Sequence, residues 1–473
     1  MPLILSGNVA SAVAGAYSVA NSCRFNDGDS PHMDKDQGTP TSQQKFTYSG
    51  WIKKCTNGAG DEQHIFSAGA ASDSYYNGYR FKTDDTLHIN FDSTNPGTTF
   101  ELVTSRVFRD PSAWYHIVVA VDTTQGTAAN RLKLYVNGVQ ETSFGTAAYP
   151  DQNRNLGFMA SGDKLVIGRQ ASGGSEYFDG YMAEVVFIDG TQYAASDFGE
   201  FDSDSPTIWK PKDVTGLTFG TNGFYLDFEA SDNLGNDANG GTDLGETNIA
   251  ATDQSIDTPT NNFATLNPLY KQDHTFSEGN LEYTSAASDW DSGLSTIGVA
   301  SGKWYVETKV TAIASGVTRT MIGLTDVRNE NECAEDKFIT SFDNGDTVGQ
   351  YNDSVTKNGS DAGGSWETYT TNDIIGMYVD LDNGKVYFSK NGTMQNSGDP
   401  TSGSTGTGAI AIATGQTYLF GATAYGGGAS QTNFGSPVFS ITSGNADPNG
   451  YGSFEYGTQN YYALCTKNLA EFG

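Results

Sequence analysis

Few side chains in this sequence combine the right types and spacing for chemistry. Glu200-Phe201-Asp202 sets two carboxylates two residues apart, which on a strand would share one face. Carboxyl groups about 5–5.5 Å apart can cleave a glycoside with retention. The pair nevertheless falls in a Pro-bounded segment that reads as a solvated acidic loop, not a strand. The five histidines (32, 64, 88, 116 and 274) are scattered, and His88 and His116 lie inside strand patterns, as half-buried, hydrogen-bonded groups would. Asp61-Glu62-Gln63-His64 lacks the spacing of a zinc-peptidase helix. AYGGGAS (424–430) lacks the Lys and following helix of a phosphate loop, and no nucleophile elbow occurs. No catalytic residue is assigned, and no enzyme is expected.

Metal chemistry points to calcium, which takes oxygen donors. Asp232, Asn236 and Asp237 fall in one loop, SDNLGNDANGGTD (231–243), and Asp27 and Asp29 in NDGD. The spacing is not that of an EF-hand. Asx turns, in which such side chains bond their own backbone, are the competing and favoured reading. Tyr75, Tyr76, Tyr79, Tyr461 and Tyr462 stand in turn-rich stretches, where aromatic rings can stack on sugars or partner proteins. Rim packing of a sandwich explains them equally well.

The chain has 473 residues, with 56 acidic against 26 basic side chains and a net charge of −30. That charge repels phosphate backbones and anionic membranes. No apolar run approaches the roughly 18 residues needed to span a bilayer. The four cysteines (23, 55, 333 and 465) show no metal spacing and read as free thiols from a reducing compartment. The opening MPLILSGNVASAVAGAYSVA lacks a basic start, and Gly7 and Asn8 interrupt its apolar run. It therefore reads as an extended arm packing on a neighbouring subunit, not as a signal peptide.

What must position any site is a set of short strands. Gly is abundant (57), with 25 Tyr and 26 Phe, a composition of strands and tight turns. FTYSGWIKK (46–54), WYHIVVAVD (114–122), RLKLYVNG (131–138), DIIGMYVDL (373–381) and KVYFSKNG (385–392) alternate in hydropathy. The two halves share one grammar: apolar strand, Asp, polar turn, strand, Asn-Gly. Asn383-Gly384 is expected to form a tight type I′ turn, with Asp373, Asp380 and Asp382 as turn and edge groups. The fold class is all-β, two antiparallel β-sandwiches of jelly-roll or lectin-like type. Expected boundaries are an arm (1–16), a first sandwich (17–200), an irregular Asp/Asn/Gly-rich linker (201–262), a second sandwich (263–457) and a C-terminal tail (458–473) ending in one helical turn.

CRFNDGDSPHM (23–33), FTYSGWIKK, IFSAG (65–69), WYHIVVAVD, LKLYVNGVQ and FDGYMAEVVFIDG together resemble laminin-G-like, concanavalin A-like lectin/glucanase sandwiches. Glucanases of that group carry Glu-x-Asp-x-x-Glu. Here Ser205 stands where the third carboxylate would, which argues against glycosidase activity. Ser301–Glu307, Ile322–Leu324, 372–392 and Asn433–Gly435 resemble SPRY domains, which are binding modules. The whole arrangement, with IWKPKDVTGLTFGTNGFYLDF and the ending YALCTKNLAEFG, is similar to structural proteins of marine tailed bacteriophages. The resemblance implies a non-enzymatic virion component at the particle surface, assembled in the host cytoplasm: a fibre, spike or capsid decoration. Its implied partners are other capsid or tail proteins, copies of itself (a trimer if fibre-like) and host surface polysaccharide. A receptor-binding tail-fibre lectin and, less favoured, a polysaccharide-degrading glycosidase are the alternatives.

Overall fold

The computed structural model describes all residues except 1–3, 6–16, 59, 71–76, 93–98, 271–273, 287–289, 314–319, 335, 336 and 338, and the side chains of 5, 92, 99, 333 and 334. The chain is all-β and divides into two compact units, Gly15–Thr260 and Asn261–Gly473, the latter joined by Met1–Ala14. Among the described residues no helix is long and apolar enough to cross a membrane.

Period-two alternation builds the first unit. In Lys45–Lys54, Phe46, Tyr48 and Ile52 enter the core, as do Ile117, Val119 and Val121 of Tyr115–Asp122 and Leu132, Leu134 and Val136 of Leu132–Val136. These three strands pair in register, and Gly180–Asp189 continues the sheet beyond Lys45–Lys54. A second sheet, eight-stranded among the described residues, runs through Thr99–Val107, Thr86–Asp92, Asn77–Phe81, Gln63–Gly69, Lys164–Ile167 and His32–Asp36. Between the sheets lies an aromatic core containing Phe46, Tyr48, Phe66, Tyr79, Phe158 and Phe187.

Residues 201–260 are not a linker. Phe224–Leu226 pairs with Gly180–Asp189, Gly245–Thr247 with His32–Asp36, and Gln254–Ser255 with Ser22–Phe25. The physical reason lies on the outer face of the first sheet. Val118, Val186 and Ile188 project there and would be exposed, but Val214, Phe219 and Tyr225 cover them.

The second unit has a seven-stranded and a nine-stranded sheet among the described residues. Two short described segments near the chain ends join these sheets. Ile4–Leu5 adds in parallel to Ile297–Gly298, and Tyr462–Ala463 in parallel to Trp304–Tyr305. The closing element is a helix, Thr466–Phe472, longer than one turn, and Leu464 and Leu469 join the core.

The shared grammar of the two halves is physical. Asn137-Gly138 and Asn391-Gly392 both adopt the left-handed conformation at both positions (φ +48 and +78; +48 and +76), as type I′ turns require. Each Asn also clamps a neighbouring strand: Asn137 Oδ1 accepts from the His116 amide (2.7 Å) and Asn391 Oδ1 from the Ile374 amide (2.9 Å). Asn383-Gly384 differs from expectation. Asp380 pairs with Lys385, so four residues turn the chain, and only Gly384 is left-handed (φ +62). The Asp380 carboxylate accepts from the backbone and side-chain nitrogens of Asn383 (3.0 and 2.9 Å), which holds the wider turn closed. Asp373 and Asp382 are turn groups as well, accepting from Thr370 N (2.9 Å) and Gly302 N (2.8 Å).

Candidate functional site: an aromatic cleft around Trp209

The ribbon formed by Gly199–Phe201 and Trp209–Pro211 corrects the loop expectation for Glu200-Phe201-Asp202. It stands beside the Asn137-Gly138 turn, and together they enclose a cleft of about 340 Å3 lined by Tyr135, Gly138, Ser196, Gly199, Phe201 and Trp209. Trp209 is its centre. Its Nε1–H donates to His116 Nδ1 (2.9 Å), and the indole stacks on the imidazole (5.9 Å, 24°). His116 stacks in turn on Trp51 (4.8 Å, 26°), with Nε2 2.8 Å from Ser49 Oγ. Because Nδ1 accepts from the indole, the ring proton sits on Nε2, facing Ser49. Burial pushes the His116 imidazole down to about 3, so the neutral acceptor persists at physiological pH. A Cβ at either Gly138 or Gly199 would collide with the indole, so only glycine leaves room for it. Phe201 meets Trp209 edge to face (4.9 Å, 71°).

The cleft is open, and its lining is mainly apolar. Among the described residues, the exposed large hydrophobic side chains are Val107, Val139, Phe201 (44 %) and Ile208. Three of these four belong to, or directly adjoin, the Gly138 turn and the Trp209 ribbon. The adjacent carboxylates are committed. Lys210 Nζ lies 3.5 Å from Glu200 and 3.3 Å from Asp202. Asp202 Oδ1 also accepts the Asp204 and Ser205 amides (both 2.9 Å), which hold its carboxyl below the usual range. An acid catalyst must retain its proton near neutral pH; Asp202 is set the opposite way.

A row of titratable groups crosses the second sheet. His64 Nε2 lies 2.8 Å from Glu176, Arg80 pairs with Glu62, and His88 Nε2 lies 2.9 Å from Glu101. Burial lowers both imidazoles, His88 to about 3 with help from Arg80 and Lys82. Thus His88 and His116 are hydrogen-bonded as expected, but fully rather than half buried. Ligand atoms of Glu62, His64 and Glu176 lie within 4.8 Å of one another. This set does not suit a metal ion, because the Arg80 guanidinium already neutralises Glu62 and would repel a cation beside it.

Among the described residues, the carboxylates of the expected calcium loops do not gather into a group of three ligand atoms. Asp29 accepts from Asn26 Nδ2 (2.8 Å) inside a short 3-10 turn, and burial raises Asp27. Asp232 is exposed, and Asn236 is partly exposed. Asp237 is buried, with Oδ1 accepting the amides of Tyr225 (2.9 Å) and Asn239 (3.1 Å). The Asn239 bond is an Asx turn.

Of the aromatic candidates, Tyr75 and Tyr76 lie outside the described residues. Tyr79 and Tyr461 are core residues and offer no ring face to a ligand. Tyr79 packs on Tyr48 (5.2 Å) and Phe158 (5.7 Å), and Tyr461 on Tyr378 (5.5 Å) while donating to the Pro400 carbonyl (3.0 Å). Tyr462 is partly exposed but stacked on Phe472 (3.9 Å, 11°). Phe201 and Trp209 were not singled out from the sequence. The usable signal is a Phe and a Trp eight residues apart around Pro206, the spacing of a ribbon.

Residues 27–195 match the family model described as the concanavalin A-like lectin/glucanases superfamily. No curated protein matches the chain. The SPRY domain of human HERC1 is similar at 16 % identity, over 35 % of this chain and 96 % of that one, with a TM-score of 0.27. The heptameric SAP-like pentraxin of Limulus polyphemus is similar at 18 % identity, over 38 % and 80 %, with a TM-score of 0.28. The CBM40 of the Ruminococcus gnavus IT-sialidase, solved with α2,3-sialyllactose bound, is similar at 15 % identity, over 35 % and 91 %, with a TM-score of 0.24.

Proposed function

We propose that this chain is a non-enzymatic structural component of a tailed-bacteriophage virion, whose first unit holds a host-surface polysaccharide in the cleft around Trp209. The observation that carries the glycan reading is an open cleft lined by the rings of Tyr135, Trp209 and the exposed Phe201, with the exposed Val139 and Ile208 adjoining its walls in sequence. The C–H faces of a sugar ring stack on such a surface, and the Ser196 hydroxyl in the cleft lining can bond its hydroxyls. The match of residues 27–195 to a lectin/glucanase superfamily supports the same reading.

The virion assignment rests on the resemblance of the full domain arrangement to marine phage structural proteins. The chain is then a fibre, spike or capsid decoration on the particle surface, assembled in the host cytoplasm. It sits beside other capsid or tail proteins as a homo-oligomer, and as a trimer if it forms a fibre. Its charge of −30 agrees with an exposed, soluble position that avoids nucleic acid.

The test is titration of purified protein with host surface polysaccharide, beside the Phe201→Ala variant, with reducing ends measured in the same samples. Saturable binding weakened by the variant, without reducing-end release, is the expected result. Release of reducing ends overturns the non-enzymatic reading. Antibody labelling of phage particles tests the location, and unlabelled particles contradict it.

A further inference from the structure

Lys53 and Asp257 form an ion pair in an unusual setting. Nζ lies 2.7 Å from Oδ2, and the side chains are 1 % and 2 % exposed. Lys53 stands on the outer face of Lys45–Lys54, opposite Tyr181, and Asp257 belongs to the last segment of the first unit. Aromatic rings wall the pair: the Tyr181 ring centroid is 5.7 Å from Nζ, and Trp114 packs on Tyr181 (6.3 Å). Trp51, Cys55, Val19 and Ala183 complete an apolar cluster around these rings.

Asp257 is held at both ends. Its carbonyl accepts from Ser22 Oγ (2.7 Å), and its amide donates to Ser255 Oγ (3.1 Å). Its two carboxylate oxygens have different partners: Oδ2 takes the lysine, and Oδ1 accepts the indole N–H of Trp114 (3.1 Å). Keeping two opposite charges this deep carries a desolvation cost that their attraction only partly offsets. The same enclosure holds the amine nitrogen 2.7 Å from the carboxylate in one orientation.

We propose that Lys53 and Asp257 condense into an intramolecular isopeptide bond. A proton passes along the Nζ–Oδ2 hydrogen bond from ammonium to carboxylate, leaving a neutral amine and a neutral acid. The amine lone pair attacks Cγ, and the carbonyl electrons move onto Oδ1, where the Trp114 indole N–H stabilises the oxyanion. The intermediate collapses by expelling the Oδ2 hydroxyl, which takes a second proton from nitrogen and departs as water. Nitrogen keeps one hydrogen, and Oδ1 becomes the amide carbonyl, still bonded to Trp114. No oxidant or cofactor enters the balance. The product replaces two buried charges with one neutral amide and ties an early strand to the end of the same unit, which suits a protein that must survive outside a cell.

The test is the intact mass of the full-length protein after denaturation and reduction. The expected mass is lower than that of the sequence by one water, and digestion yields a branched peptide joining Lys53 to Asp257. Asp257→Ala and Lys53→Met retain the full mass. Trp114→Phe acquires the bond more slowly after refolding, which reads the role of the indole without requiring its loss to unfold the chain. A wild-type mass equal to the sequence overturns the proposal and needs no variant to fold. So does a missing water that tandem fragmentation places elsewhere, as in a backbone succinimide.

Discussion

Replacing Glu184 with Gln should make the first unit more stable above pH 7 and leave it unchanged near pH 4. Glu184 occupies a bulge in Gly180–Asp189, where the register with Lys45–Lys54 shifts between Ala183 and Val186, and it takes φ +49. It is 7 % exposed, and its Oε2 accepts from Tyr17 (3.0 Å) and Tyr225 (2.9 Å). The other charges acting on it, Asp227 and Glu229, are also acidic. Burial therefore prevails over the two phenol bonds and raises its carboxyl from 4.5 to about 7. A folded state that holds its proton more tightly than the unfolded chain is favoured at low pH. That advantage is complete below about 4.5 and is lost as pH rises to about 7. At about 1.4 kcal/mol per tenfold change in affinity, the loss is about 3 kcal/mol, or roughly 1 M in a urea midpoint for a large unit. The assay is urea unfolding of wild type and Glu184→Gln from pH 4 to 8, with the difference plotted against pH so that other titrating groups cancel. A flat difference, or one favouring wild type at pH 8, refutes the reasoning.

Other consequences are simpler. Tyr79→Phe should raise stability by about 1 kcal/mol, because the buried hydroxyl has no hydrogen-bond partner among the described residues; thermal unfolding measures it. Gly138→Ala should cost about 2 kcal/mol and disturb the cleft, since φ is +78 and the new methyl meets the indole; a reduced melting temperature with altered Trp fluorescence is the readout. A chelator should leave the melting temperature unchanged, because the carboxylates of Asp27, Asp29, Asp232 and Asp237 do not gather into a group of three ligand atoms.

The strands that sequence reading recovered best are those with strict alternation, such as Phe46–Tyr48–Ile52 and Ile117–Val119–Val121, because period two is a local property of the chain. The role of 201–260 was hidden for a related reason. Its pairing strands are three residues or fewer, too short to show a period, and its apolar residues matter only once Val118, Val186 and Ile188 are known to face outward. Exposure is a tertiary fact. Tyr79 and Phe201 are both aromatic residues near turns, yet one ends at 0 % and the other at 44 % exposure. The Trp209–His116–Trp51 stack joins residues far apart in sequence, so no local pattern could announce it. The Asn-Gly turns were legible where the loop held two residues; at Asn383-Gly384 the capping carboxylate of Asp380 selected a wider turn.

The most direct test of the proposed function is calorimetric titration of host surface polysaccharide into wild-type protein and Phe201→Ala. Phe201 is exposed, so its removal leaves the fold intact. Saturable binding by wild type, weakened at least tenfold in the variant (about 1.4 kcal/mol), is predicted. Equal binding by both proteins, or none by wild type, contradicts a glycan site at Trp209.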